Sequence, residues 1–286
     1  MPEGHTLHRL ARDLEAAFAG RLVRVGSPQG RFADSAALLD GQVVESAESW
    51  GKHLFLGFPG ERLVHVHLGL YGGFDVHPDV EEVPPPVGQV RLRLVTADAG
   101  PTAYADLRGA TACELLTVAQ RDAILARTGP DPIRAGRDPG QDPMLAWERI
   151  RRSRAPIGGL LMDQSVLAGV GNVYRAEVLF RQRIHPLRPG NTLRVGQWRA
   201  MWDDLVELMA EGVRTGRIDT VRPEHTPEAM GRPPRVDDHG GEVYVYRRTG
   251  RPCHVCGSTV RTAVLQTRNI FWCSRCQPAF RSRAVR

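Results

Sequence analysis

Four cysteines near the C-terminus constrain this chain more than any other feature: Cys253-x2-Cys256 and Cys273-x2-Cys276, with sixteen residues between the pairs. Two knuckles at that separation match a tetrahedral four-thiolate zinc site. Four protein ligands leave no open coordination position, so one zinc ion is expected here in a structural role. In a cytosolic chain, paired CxxC motifs point to metal before disulfides. The intervening TVRTAVLQTRNIFW reads as a β-hairpin with Gln266, Thr267, Arg268 and Asn269 at its tip. A hairpin pinned by zinc can hold an arginine rigidly against a phosphate; taken alone, Arg268 reads equally as a solvated turn residue. The fifth cysteine, Cys113, is expected to be a small buried hydrophobe.

The charge is unevenly spread. Residues 1–144 hold 14 basic and 19 acidic side chains, a balance of −5, and residues 145–286 hold 24 and 13, a balance of +11. A cationic half is what a surface that neutralises phosphates requires, although charge alone serves a solvated face without a partner just as well. Arginine dominates, with 37 against the single Lys52, which sits in WGKHLF between expected strands. A chain of 286 residues suffices for two domains with their own cores. No apolar run approaches the roughly 20 residues that span a bilayer, and MPEGHTLHRL lacks a signal-peptide layout. The expectation is a cytoplasmic, nucleoid-associated monomer.

Along the chain, residues 6–18 read as an amphipathic helix with Leu7, Leu10, Ala11, Leu14 and Phe18 on one face. Strand-like runs follow: RLVRVG, QVVES, HLFLGF, RLVHVHL, VRLRLV and TACELLT. One helix followed by short strands suggests a β-sandwich. The proline-rich stretch 77–88 reads as a loop, and residues 128–143, where the charge changes sign, as an interdomain linker. Helices are expected over 147–152, 157–162, 172–181 and 197–215, and 217–240 reads as an irregular segment. The division is therefore 1–130, 131–240 and 241–286.

The turn Ala168-Gly169-Val170-Gly171-Asn172 opens one of these helices. It lacks the third glycine of a dinucleotide fingerprint and the Lys-Ser/Thr of a triphosphate loop. A glycine turn before a helix still aims unpaired N–H groups at an anion, and with Arg175 and Arg181 nearby a DNA phosphate is the natural candidate; a purely structural turn is the alternative. At the other end, removal of Met1 leaves Pro2 with a secondary amine. An α-amino group titrates at about 7.7–8.0, so a neutral fraction exists near neutral pH. Glu3 stands beside it as a proton donor or acceptor. In isolation, a proline at position 2 is ordinary.

Four motifs taken in order, MPEG at the start, GKHLF around Lys52, DQSVLAGVGNVYRAEVLF over 163–180, and the cysteine finger with Arg268 five residues before Cys273, resemble the formamidopyrimidine-DNA glycosylase and endonuclease VIII family of bacteria. The resemblance covers almost the whole chain. It implies an α+β fold: an N-terminal β-sandwich with an N-terminal helix, then a helix–two-turns–helix domain ending in a zinc-finger hairpin, with DNA in the cleft between domains. It further implies a bifunctional glycosylase and abasic-site lyase of base-excision repair. Pro2 attacks C1′ and forms a Schiff base, Glu3 assists ring opening, Lys52, Asn172 and Arg268 grip flanking phosphates, and β- then δ-elimination cuts the strand. No cofactor enters that chemistry. In HLGLYGG, Leu70 and Tyr71 resemble the wedge that fills the gap left by an extruded base; ordinary strand and turn packing is the alternative.

The opening MPEGHT is closer to the endonuclease VIII branch than to the oxidised-purine branch, so oxidised pyrimidines in double-stranded DNA are the expected lesions. HLG before Leu70, Gly158 and Gly159 where the purine branch often has a lysine, and Asn269 after the hairpin arginine depart from one pattern or the other. The rival reading is a non-catalytic damaged-DNA-binding or regulatory zinc-finger protein, which explains charge and zinc but not Pro2, Glu3 and Lys52 together. A zinc-ribbon RNA-binding factor is the third.

Overall fold

The computed structural model describes residues 2–236 and 241–280, so Met1, the end of the 217–240 segment and the last six residues lie outside the described residues. The chain divides into two units, Met1–Arg127 and Thr128–Arg286.

In the first unit, α1 (Gly4–Phe18) starts two residues before the expected helix, and the β1 strand (Leu22–Gly26) follows. Leu7, Leu10, Leu14 and Phe18 recur at three- and four-residue spacing and are buried on one face. Gly20, at φ 75°, turns the chain into β1. Next come α2 (Ala33–Leu39), β2 (Gln42–Val43), β3 (Ser46–Trp50), β4 (His53–Phe58), β5 (Arg62–His67), β6 (Gly73–His77), β7 (Val90–Thr96), β8 (Tyr104–Arg108), β9 (Ala112–Thr117) and α3 (Val118–Leu125). The strands form two antiparallel sheets, ordered β2-β1-β7-β8-β6 and β3-β4-β5-β9. Leu54, Leu56, Val64 and Val66 from one sheet and Val23, Leu92, Leu94 and Leu107 from the other share a core with α1. Alternation puts these residues on the inner faces. Sequence reading missed β3, β6 and β8, whose short SAESW, GFDVH and YADLR are each interrupted by an acidic residue; their pairing is decided by neighbours.

The second unit holds α4 (Pro143–Ile150), α5 (Ile157–Leu160), α6 (Asn172–Arg181), α7 (Val195–Thr215), α8 (Pro227–Met230), β10 (Val260–Leu265) and β11 (Arg268–Cys273). Helix α6 is buried over Asn172–Phe180, and α7 presents Trp198, Met201, Trp202, Leu205 and Leu208 to the same core. Residues 128–143, expected to be a linker, are woven into this unit. Gly129 N donates to Gln164 O (2.8 Å), Ala168 N to Pro130 O (3.0 Å), and Asp131 is buried. Cys253, Val260, Phe271 and Cys273 belong to the core that contains Tyr174 and Trp198. Glu177, fully buried in α6, ties the finger's approach to the helices by accepting from Tyr244 N (2.7 Å), Val245 N (2.9 Å), Tyr246 N (2.8 Å) and Thr220 Oγ1 (2.6 Å).

Among the described residues no helix is long and apolar enough to cross a membrane.

Candidate functional site

Pro2 is half-buried and immediately precedes the head of α1. Glu3 is the N-cap, with extended backbone (φ −119°), a fully buried side chain, and a carbonyl that accepts from Thr6 N at 3.0 Å. The adjacent His5 is held neutral, its pKa lowered to about 4 by burial and then by nearby positive charge, including His8 and Arg9. Helix α1 packs along β3, the strand that leads into Lys52.

Lys52 occupies a two-residue turn. Trp50 pairs with His53, leaving Gly51 and Lys52 between the strands, with Gly51 at φ 57°. A positive φ at the first central position is the type II′ geometry that suits the twist of a hairpin. Behind the turn lies a histidine cluster that sequence reading passed over. His53 Nδ1 is 2.9 Å from His65 Nε2, and His65 Nδ1 is 2.9 Å from Glu114 Oε1. The His67 ring meets that of His53 edge-on at 5.4 Å. His53 is depressed to about 4, and His67 is lowered, by burial first and then by neighbouring cations that include Lys52. The signal was the alternation His65-x-His67 facing His53, which pairing in three strands converts into a cluster.

Leu70 and Tyr71 lie in the turn after β5. Tyr71 is 92% exposed and Leu70 40%. The turn is closed by Gly72 N donating to Leu68 O (3.1 Å) and Gly69 N to His67 Nδ1 (3.1 Å). A Cβ on Gly69 would stand 2.4 Å from Thr111 Cγ2, and one on Gly72 2.3 Å from Leu68 O. Both glycines are thus required by close packing, and two apolar side chains stand outward on a tight base.

In the second unit, Gly171 caps α6 and Asn172 is its first residue. Gln164 braces the glycine turn, accepting from Gly169 N (3.0 Å) and donating to Val170 O (2.9 Å). Arg175 does not reach outward as the sequence suggested. It is buried, donating to Asn172 Oδ1 through Nε (2.9 Å) and Nη2 (2.6 Å), to Gly158 O (2.9 Å) and to Asn269 O (3.3 Å). Arg181 is likewise engaged, by Asp204 and Thr220 O (2.7 Å). Neither is a phosphate ligand; a buried guanidinium requires several acceptors, and here the fold supplies them. With its oxygen bound by Arg175, the Asn172 amide has its NH2 left as a donor. A cavity of about 410 Å³ lined by Met162, Asp163, Arg175, Gln266, Thr267 and Arg268 lies here.

Arg268 is not at the hairpin tip. Leu265 pairs with Arg268, so the turn is Gln266-Thr267, with φ 50° and 63°. Two positive φ values make a type I′ turn, and Arg268 begins the return strand with its backbone in the ladder. Gly159 lies directly beneath, where a Cβ would come within 2.9 Å of the Gln266 amide. The four cysteine sulfurs lie within 4.8 Å of one another. Sulfurs about 2.3 Å from a tetrahedral zinc stand roughly 3.8 Å apart, and Cys253–Cys276 and Cys256–Cys273 separate by 3.9 and 3.4 Å. The cluster can hold a metal ion.

A strand sandwich headed by Pro2, a glycine-turn helix and a four-cysteine hairpin are the elements expected of a DNA-processing enzyme of the helix–two-turns–helix class, and the family match places the chain in that class. Residues 1–113 match the formamidopyrimidine-DNA glycosylase N-terminal domain and 128–223 the formamidopyrimidine-DNA glycosylase H2TH domain. The chain belongs to the formamidopyrimidine-DNA glycosylase family, whose members are DNA glycosylases with abasic-site lyase activity. It is 53% identical over 279 residues to Endonuclease 8 1 of Mycobacterium tuberculosis, covering 97% of this chain and all of the relative. It is 31% identical over 287 residues to Endonuclease 8 of Escherichia coli, with the same coverage. The fold superposes with a TM-score of 0.76 on Lactococcus lactis Fpg in complex with an abasic site containing DNA, at 25% identity over 97% of this chain and all of that one. MutM in complex with carbocyclic 8-oxo-G containing DNA matches with the same TM-score at 21% identity, a likeness of fold.

Proposed function

We propose that this protein removes oxidised bases, pyrimidines foremost, from double-stranded DNA and cuts the strand at the resulting abasic site, with Pro2 as nucleophile. The observation that carries the reading is Pro2 at the head of α1 beside the buried Glu3. The positive end of a helix favours the neutral, nucleophilic form of an amine placed there. The Pro2 nitrogen attacks C1′, the base departs with a proton, and an iminium forms as the sugar ring opens, with Glu3 exchanging a proton at the ring oxygen. Loss of the acidified C2′ proton breaks the 3′ C–O bond, and a second elimination breaks the 5′ C–O bond. Release of the sugar from Pro2 requires water. Glu3 and Pro2 are the catalytic residues; Lys52, Asn172 and Arg268 bind the flanking phosphates, as donors on a two-residue turn, at a helix start and at the first position of a paired strand. Leu70 and Tyr71 fill the gap left by the extruded base, which their exposure allows. Cys253, Cys256, Cys273 and Cys276 hold one structural zinc ion.

We assign catalysis, the Lys52 phosphate contact and the Leu70–Tyr71 wedge to the sandwich and the remaining DNA grip to the helices and finger, in a monomer acting at the bacterial nucleoid. The non-catalytic reading is disfavoured by the endonuclease 8 relatives that the chain matches over nearly its full length. Duplex DNA with one abasic site, incubated with protein and borohydride, is expected to give a covalent adduct that a DNA-binding Pro2→Gly variant does not form. Binding without adduct or cleavage by the metal-replete, Met1-processed protein would refute the lyase reading.

A further inference from the structure

Three side chains on one face of the β3-β4-β5-β9 sheet form a continuous hydrogen-bonded chain. His65 on β5 lies opposite both Phe55 on β4 and Glu114 on β9. Its Nδ1 meets the Glu114 carboxylate and its Nε2 meets His53 Nδ1, each at 2.9 Å, with the two rings stacked at 5.2 Å. Glu114 is on the edge strand and 53% exposed, whereas His65 is buried. The chain therefore runs from an accessible carboxylate, through a buried imidazole, to the residue next to Lys52.

We propose that Glu114, His65 and His53 form a positioning relay for the Lys52 turn, in which the proton state of His65 selects the tautomer of His53. The proposal rests on the reading of Lys52 as a phosphate ligand. With His65 neutral, its Nδ1–H goes to Glu114 and its Nε2 lone pair accepts from His53 Nδ1–H, which leaves His53 Nε2 as an acceptor. When one proton enters at His53 Nε2, the Nδ1 proton of His53 crosses to His65 Nε2. The positive charge then rests on His65 beside Glu114, while His53 stays neutral and presents Nε2–H. The direction suits the surroundings. Burial first, and then His65, His67, Arg127 and Lys52, all positive or able to become so, disfavour a charge on His53, so His53 does not keep it. Glu48, on β3, is engaged by Arg121 of α3 at 3.2 Å. Glu114 is thus the acid bonded to the chain. Loaded, the relay makes His53 Nε2, on the residue next to Lys52, a hydrogen-bond donor, the role a phosphate oxygen requires; unloaded, it leaves an acceptor there.

The test compares wild type with His65→Gln and Glu114→Gln in cleavage of abasic duplex at about pH 6 and pH 8. In wild type KM should fall on acidification about five- to tenfold more than in His65→Gln, with kcat of the variant at pH 8 within about twofold of wild type, since losing a contact made equally in the ground and transition states raises KM alone. Glu114→Gln, on the exposed edge, keeps the fold if His65→Gln does not, and should show an intermediate pH response. Nitrogen-15 spectra of the imidazole rings should find His53 protonated on Nδ1 at pH 8. An Nε2–H His53 at that pH, or a pH response of KM unchanged by both substitutions, overturns the relay. Absence of a borohydride adduct in wild type would instead overturn the lyase reading, and the ring spectra would still decide the relay.

Discussion

Replacing Glu177 by glutamine removes one oxygen from the second unit, and the structure fixes what that costs. Oε2 accepts from Thr220 Oγ1 and Tyr244 N, and Oε1 from Val245 N and Tyr246 N, all buried. In Glu177→Gln one side of the carboxylate becomes an NH2 facing two donors. If it faces Thr220, the hydroxyl can rotate to accept, but Tyr244 N–H is left opposed; if it faces Val245 and Tyr246, two backbone N–H groups are. A buried donor left unsatisfied costs about 1–3 kcal/mol, and bonds to a charged acceptor are worth more than neutral ones. A loss of about 2–4 kcal/mol follows, which lowers the melting temperature of a unit this size by roughly 4–15 °C. A two-unit chain need not melt in one step, so the signal must come from the right unit. Trp147, Trp198, Trp202 and Trp272 lie in the second unit and only Trp50 in the first, which makes tryptophan fluorescence the probe. Because Tyr244 stacks on Phe180 and Tyr246 meets Phe271 edge-on, the same change should loosen the finger from α6 and raise KM for abasic DNA. A shift under about 1 °C would refute this account of Glu177 as the bond between helix and finger.

The first unit should lose stability in acid through His5. An unfolded histidine binds its proton near pH 6.5 and the folded His5 only near 4, so between these values the unfolded state holds more protons and stability rises with pH, by up to about 3 kcal/mol; urea unfolding at several pH values should show the slope, and a His5→Gln variant with the same slope would remove the cause. Tyr71→Ala should leave stability within about 0.5 kcal/mol, since the ring is 92% exposed, while slowing base removal from duplex; equal activity would count against the wedge. Chelation of the metal should unfold the β10-β11 hairpin and abolish DNA binding, with circular dichroism and anisotropy as readouts; retained binding by metal-free protein would show that the finger does not need it.

Much of the site was legible because its chemistry is local. Two CxxC knuckles, a proline at position 2 and a glycine turn before a helix each declare themselves within a few residues, and the order of four motifs pointed to the family. The roles of Arg175 and Arg181 were misread for the opposite reason. An arginine on a basic stretch looks like a phosphate ligand until the fold places acceptors around it, and those of Arg175 come from residues 158, 172 and 269. The tip of the finger hairpin narrowed from the expected 266–269 to Gln266-Thr267 because register depends on which strand residues pair, and Leu265–Arg268 pairing moves the arginine into the ladder.

The sequence by itself determined the class of chemistry, the four cysteines that can hold a metal ion, the amphipathic first helix and the segregation of positive charge into the C-terminal half, since all of these depend on residue type and short spacing. Only the tertiary structure decided which polar groups face outward and which hold the fold. Asn172 has its amide oxygen held by Arg175, and Lys52 is backed by a His53–His65–Glu114 chain spanning three strands. Residues 53, 65 and 114 meet because antiparallel pairing sets distant positions side by side, and no local pattern encodes which strands will be neighbours.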